Sequence, residues 1–243
     1  MSAEASRLVR LFRAVVTTGL AAVLAAGSVV LLATPAQADD ATTVDRAKAE
    51  ITRRIDLRLA ALSRFDGALT AAAHLTDAHE STLKDLVADD RAGLTALKTK
   101  VAGETTLAAL RADAASMVND YRIFILVGPK VRLTIAADHQ AAAVARLQTA
   151  HDNLATAVAQ AKAAGKDVAA AEQDLADMQA AIDKAKTGLA GQVDTLLAIQ
   201  PGPDGNAIRA KVGAVRRALG QVRLDLRTAL AEARAVRTFL RDL

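Results

Sequence analysis

Apolar residues recur at helical spacing along almost the whole chain. Val44, Ile51, Ile55, Leu62, Phe65 and Leu69 lie three, four or seven apart and predict a first helix from about Thr43 to Ala73. Asp77 followed by Glu80 reads as an N-cap and its third-position acid, opening a second helix that carries Leu83, Leu86, Val87, Leu94, Leu97 and Val101 and ends at Gly103. A third helix starts near Thr105, and its positions Leu107, Leu110, Ala114, Met117, Tyr121 and Phe124 run in phase into the most apolar stretch of the chain, Tyr121 to Ile135. Two readings compete for that stretch. Continuous phase favours a helix that stops at Gly128, with Pro129 in the first turn of the next one. The β-branched residues on either side of Gly-Pro also permit a two-stranded hairpin.

From Val131 the pattern becomes heptad. Leu147, Leu154, Ala161, Val168, Leu175, Ile182, Leu189 and Leu196 are strictly seven apart. One unbroken helix is an available reading, but Gly165 suits a left-handed helix end and Asp167 an N-cap. A hairpin turning at Gly165-Lys166-Asp167 is therefore favoured over it. Gln200-Pro201-Gly202-Pro203-Asp204-Gly205 is a loop. After it, Ile208, Val212, Val215, Leu219, Val222, Leu226, Ala229, Ala233, Val236 and Leu240 alternate by four and three to the end. The fold class expected is all-α, an elongated bundle of five or six long helices with an antiparallel coiled-coil hairpin. A single domain is expected over residues 39–243, with N-terminal helices over 39–128, the hairpin over 129–199 and a basic C-terminal helix over 206–243.

Composition narrows the chemistry. The 243 residues are 52% hydrophobic and 24% charged but only 2% aromatic, with no cysteine and no tryptophan. An Ala-rich, aromatic-poor core implies closely approaching helices. The lack of cysteine excludes disulfides, thiolate metal sites and cysteine nucleophiles. The net charge of +4 does not by itself imply a nucleic-acid partner. Residues 1–38 read as a secretory leader, with Arg7, Arg10 and Arg13 before the apolar run Ala14 to Leu32 and a small-x-small site at Ala36-Gln37-Ala38. The expectation is a secreted or envelope-associated protein. The alternative is an uncleaved anchor, since the run is about long enough to span a bilayer.

Two sets of residues stand out as candidate sites. Tyr121, Ile123, Phe124, Val127 and Val131 form either a buried pivot between the N-terminal helices and the hairpin or an apolar interaction site. The C-terminal helix holds nine basic residues against three acidic ones, and Arg216, Arg217, Arg223 and Arg227 are its candidate anion-binding face. The competing reading pairs this helix with the acidic segment before it, which carries Glu172, Asp174, Asp177 and Asp183. Nucleic acid is disfavoured because the basic helix has no stacking aromatic except Phe239. His74, Asp77, His79 and Glu80 cluster at a helix junction, but turns collect polar residues and no metal site is assigned there. No Glu-x-x-His, HExxH, nucleophile elbow or phosphate loop is present. No catalytic residue and no cofactor are expected.

The leader ending ATPAQA, the segment YRIFILVGPKVRLTIAADHQ and the turn AKAAGKDVAAAEQDL resemble exported, Ala-rich coiled-coil proteins of actinobacterial type. That resemblance implies a helical fold and no particular activity. The function expected is a non-enzymatic structural or interaction role at the cell envelope, through helix association with a protein partner or another copy. A bundle binding lipid or a small apolar ligand is the alternative. Contact with a membrane surface or an anionic wall polymer through the basic helix is a third route.

Overall fold

Five helices of 21 to 38 residues and two short ones account for most of the computed structural model, which describes residues 41–243. The expected leader lies outside the described residues. The helices are α1 (Ala41–Thr70), α2 (Asp77–Gly103), α3 (Leu107–Asn119), α4 (Gly128–Ala163), α5 (Ala169–Leu189), α6 (Gln192–Leu197) and α7 (Gly205–Asp242), with a π-helical turn at Ile123–Val127. No strand occurs among the described residues, so the hairpin reading of 121–135 does not hold.

The helices form two three-helix groups. In the first, α1 and α2 are antiparallel, tied by Lys98 Nζ to Asp56 Oδ1 at 2.6 Å and by Lys48 Nζ to the Ala102 carbonyl at 3.1 Å. α3 returns along α2, where Lys100 Nζ meets the buried Asp113 carboxylate at 2.5 Å. In the second group α4 and α5 are antiparallel, joined by Lys162 Nζ to Glu172 Oε1 at 2.8 Å and by the Gln148 and Gln179 side chains at 2.9 Å. α7 runs parallel to α4, with Gln140 Nε2 donating to the Leu219 carbonyl at 2.9 Å, and packs most extensively on α5. The turn between α4 and α5 places Gly165 as expected, but the N-cap of α5 is Val168, with no side-chain cap bond, rather than Asp167. Gly165 takes φ 79, a left-handed conformation with no Cβ penalty for glycine, and Asp167 Oδ1 accepts from the Ala169 N–H at 3.2 Å.

Other boundaries differ from the sequence expectation as well, α1 for one ending at Thr70 rather than Ala73. The side chain capping α2 is Thr76, whose Oγ1 accepts from the His79 N–H at 3.3 Å, so Asp77 is the first helical residue rather than the cap. The hairpin's second arm ends at Leu189, because Gly191 turns left-handed at φ 67 and starts the short α6. The third helix does not continue to Phe124 but ends at Asn119. Arg122 then adopts φ 46, ψ 39, a left-handed conformation unfavourable for a residue with a Cβ. It is held there because its Nε donates to the Gly202 carbonyl at 2.7 Å, and its Nη2 to Asn119 Oδ1 at 3.0 Å and to the Pro203 carbonyl at 2.5 Å. Gly128-Pro129, finally, is not a stop. Gly128 is helical at φ −59, ψ −45, and its bare Cα admits the Phe65 ring, whose Cζ would lie 2.8 Å from a Cβ at this position. Glycine is needed here for close packing, and Pro129 sits in the first turn, where no N–H is required.

Candidate functional site

The pivot stretch is built on the π-helical turn. The Leu126 and Val127 N–H groups both donate to the Arg122 carbonyl, at 2.9 and 3.4 Å. This widened turn aims neighbouring side chains at different cores. Ile123, Val127 and Val131 enter the core of the α1–α3 group, with Tyr121 packed partly buried against it. Leu126 enters the core shared by α6 and α7, and Ile125 packs beside it. Ile123, Val127 and Val131 are each at most 2% exposed, so they line no open apolar groove. Phe124 is a correction. It is 52% exposed, with the Arg58 guanidinium 5.4 Å from its ring centroid, and is not part of the buried pivot.

Along the first half of α4 a row of polar side chains is buried at four-residue spacing: Lys130, Thr134 and Asp138. Lys130 Nζ donates to the Leu197 carbonyl at 2.8 Å, tying α4 to the end of α6. Asp138 accepts from the Thr76 N–H and from His79 Nδ1, both at 2.9 Å, and so holds the start of α2 against α4. His74 Nε2 lies 3.0 Å from Arg146 Nη2 and its ring meets that of His139 edge-on, with centroids 4.8 Å apart. Glu80 pairs with Lys84. The structure therefore splits the cluster His74, Asp77, His79 and Glu80. Among the described residues no group of three or more His, Cys, Asp or Glu is arranged to hold a metal ion. Sequence reasoning missed Asp138, whose one signal is a carboxylate on the apolar start of α4.

Asp90 on α2 is half-buried, and its carboxyl is pushed up from the ordinary 3.8 to about 6. Burial is the main cause, Asp89 adds to it, and Lys130 opposes it. The folded chain thus holds this proton more tightly than the unfolded chain does. Stability falls as the pH rises from about 4 through about 6 and stays lower above that. Asp90→Asn is expected to raise stability near pH 8 by about 1 kcal/mol after allowance for solvent screening, seen as a higher thermal midpoint, and to change little near pH 3. Melting curves at the two pH values check this; an equal gain at both would assign the effect to something other than the charge.

The basic helix α7 has a more ordered surface than its charge balance suggests. Arg209, Arg216, Arg223 and Arg237 share one register position, and Arg227, Arg234 and Arg241 share the adjacent one. Seven arginines thus form one flank, while the acids Asp225 and Glu232 lie on the opposite flank of the apolar seam. Arg217, grouped with Arg216, Arg223 and Arg227 from the sequence, is about 100° round the helix from Arg216 but four residues on from Gly213, with its Nη1 3.6 Å from where a Cβ of Gly213 would lie, so it borders the flank on its outer side. Lys211 lies off it, at the register position of Asp225 and Glu232. All nine basic side chains are exposed.

The competing reading, in which these residues pair with the acidic arm, is not realised in direct contacts. α7 does pack on α5, but through apolar contacts, with Val222 against Gly188 and Val236 in one core with Ala171 and Leu175. Among the described residues the one ion pair within 4.0 Å that an α7 arginine makes is Arg241 with its neighbour Asp242. Glu172 of α5 turns instead to Lys162 on α4. Arg132 of α4 lies near the flank, and its pKa is lowered by burial first and by Arg216 second. Like charges therefore converge at the α4–α7 seam. No described helix is long and apolar enough to cross a membrane. Comparison with known proteins returns no match to a protein family, to a curated relative or to a solved structure.

Proposed function

We propose that this chain is an exported, non-catalytic interaction protein of the cell envelope that docks on polyanionic surfaces through α7. The observation that carries the reading is the flank of seven exposed arginines, of which Arg241 alone pairs with a carboxylate among the described residues, facing solvent rather than the acidic helix beside it. Self-repulsion on such a face costs stability, and a bound polyanion offsets that cost. The leader-like residues 1–38 support the location. The rigid, aromatic-poor bundle with its apolar seams filled supports binding rather than catalysis.

The test is co-sedimentation of purified protein with isolated envelopes. Arg216→Gln, Arg223→Gln and Arg227→Gln together are expected to release the protein at moderate salt, with far-UV circular dichroism unchanged and the thermal midpoint equal or higher, because all three side chains are exposed and their mutual repulsion is relieved. Undiminished binding by the folded triple variant overturns the reading. Loss of helicity would instead show that these arginines support the fold.

A further inference from the structure

The flank bears a second feature that helix stability does not explain. Gly213 and Gly220 sit seven apart at the same register position as Arg227, Arg234 and Arg241, within the first half of a 38-residue helix, where glycine weakens helix formation. Packing does not require either one. A Cβ at Gly220 would have no atom within 4 Å, and one at Gly213 would have only the Arg217 guanidinium, at 3.6 Å. Both are helical and neither has a positive φ. The result is a strip without side chains between Arg209, Arg216 and Arg223 on one side and Arg217 on the other, where a ligand can approach the backbone closely between guanidinium groups.

From this geometry, and resting on the polyanion reading above, we propose that the occupant of α7 is a single linear phosphate polymer lying along the helix, rather than a lipid bilayer. The arginines run in a narrow file from Arg209 to Arg241, about 48 Å at 1.5 Å per residue, which fits a chain better than a plane. Guanidinium groups bind phosphate oxygens in a bidentate fashion, so arginine in place of lysine suits this ligand. A helix that lies on a bilayer buries an apolar face in it, whereas the apolar face of α7 is used up in the bundle. Leu224, at 49% exposure, is the large apolar side chain α7 leaves open; it borders the flank four residues on from Gly220, and one such side chain is too little to seat a helix in a bilayer. No aromatic residue on the flank is available to stack a nucleobase.

Purified full-length protein titrated with inorganic polyphosphate of graded length, and separately with phosphatidylcholine vesicles containing phosphatidylglycerol, tests the proposal. Affinity for polyphosphate is expected to rise with length until the chain spans the flank and then level off, with a steep salt dependence from counterion release. Arg216→Gln with Arg223→Gln is expected to weaken binding about tenfold, while Lys184→Gln with Lys211→Gln, which removes the same charge from exposed positions away from the flank, costs much less. Gly213→Leu with Gly220→Leu is expected to weaken polyphosphate binding while leaving the thermal midpoint equal or higher. Equal losses from the two charge pairs, or full affinity in the folded glycine variant, overturn the linear-track proposal. Binding to the vesicles without binding to polyphosphate also overturns it and leaves the polyanion reading standing; binding to neither ends both.

Discussion

Ile123→Asp is expected to abolish the cooperative helical fold, whereas Phe124→Asp, one residue further on, leaves it intact. Ile123 is 1% exposed in the core of the first helix group, and Phe124 is 52% exposed. Removing the isoleucine side chain forfeits about 2–3 kcal/mol of apolar burial. Placing an unpaired carboxylate in its site adds several kcal/mol more, so the total is a large part of the stability of a domain of this size. Phe124→Asp forfeits only partial burial and the cation–π contact with Arg58, about 1 kcal/mol in all. Thermal melts followed by circular dichroism separate the two. Similar destabilisation by both would mean that Phe124 is core. A Phe124→Asp variant that stays folded but loses a self-association seen in the unsubstituted protein would assign the exposed ring to a helix-association surface.

Asp138→Ala should cost about 3 kcal/mol, and Asp138→Asn about half as much. The Asp138 carboxylate, 7% exposed, receives both the Thr76 N–H and His79 Nδ1. Alanine removes the shared acceptor of two charge-assisted hydrogen bonds, and the exposed Thr76 and partly buried His79 recover only part of the loss from water. Asparagine keeps one carbonyl-type acceptor but no charge. The effect should centre on the α1–α2 turn, with faster amide hydrogen exchange at Thr76 to Glu80 than in α7. Equal costs for Ala and Asn would show that the carboxylate's charge, rather than its acceptor geometry, holds the turn.

The lesson from the Tyr121 to Ile135 stretch is about locality. Its helical phase is real, yet the phase alone hides a left-handed residue whose three hydrogen-bond acceptors are a side chain at 119 and carbonyls at 202 and 203. The pair Asn119-Asp120, both turn-formers, is the local signal that marks the true break. Gly128 misleads for a similar reason. A glycine needed for the approach of Phe65 is identical in sequence to one needed for a left-handed turn. Asp138 gives no sign of its role, because its partners Thr76 and His79 lie about sixty residues away in sequence.

The hydrophobic period by itself determined the helical class, the long helices, the turns at Gly165 and at the Pro-Gly loop, and the confinement of the α7 arginines to its outer surface. Those properties depend on which side of its own axis a residue occupies, and a period of about 3.6 states that directly. Only the tertiary structure decided that α4 and α7 run parallel, that Phe124 faces water, that Asp138 clamps α2, and that the arginine flank meets Arg132 rather than the acids of α5. These depend on which neighbour each face meets. Apolar seams of Ala, Leu and Val are interchangeable enough that sequence pattern does not select among them, and long-range hydrogen bonds and close packing do.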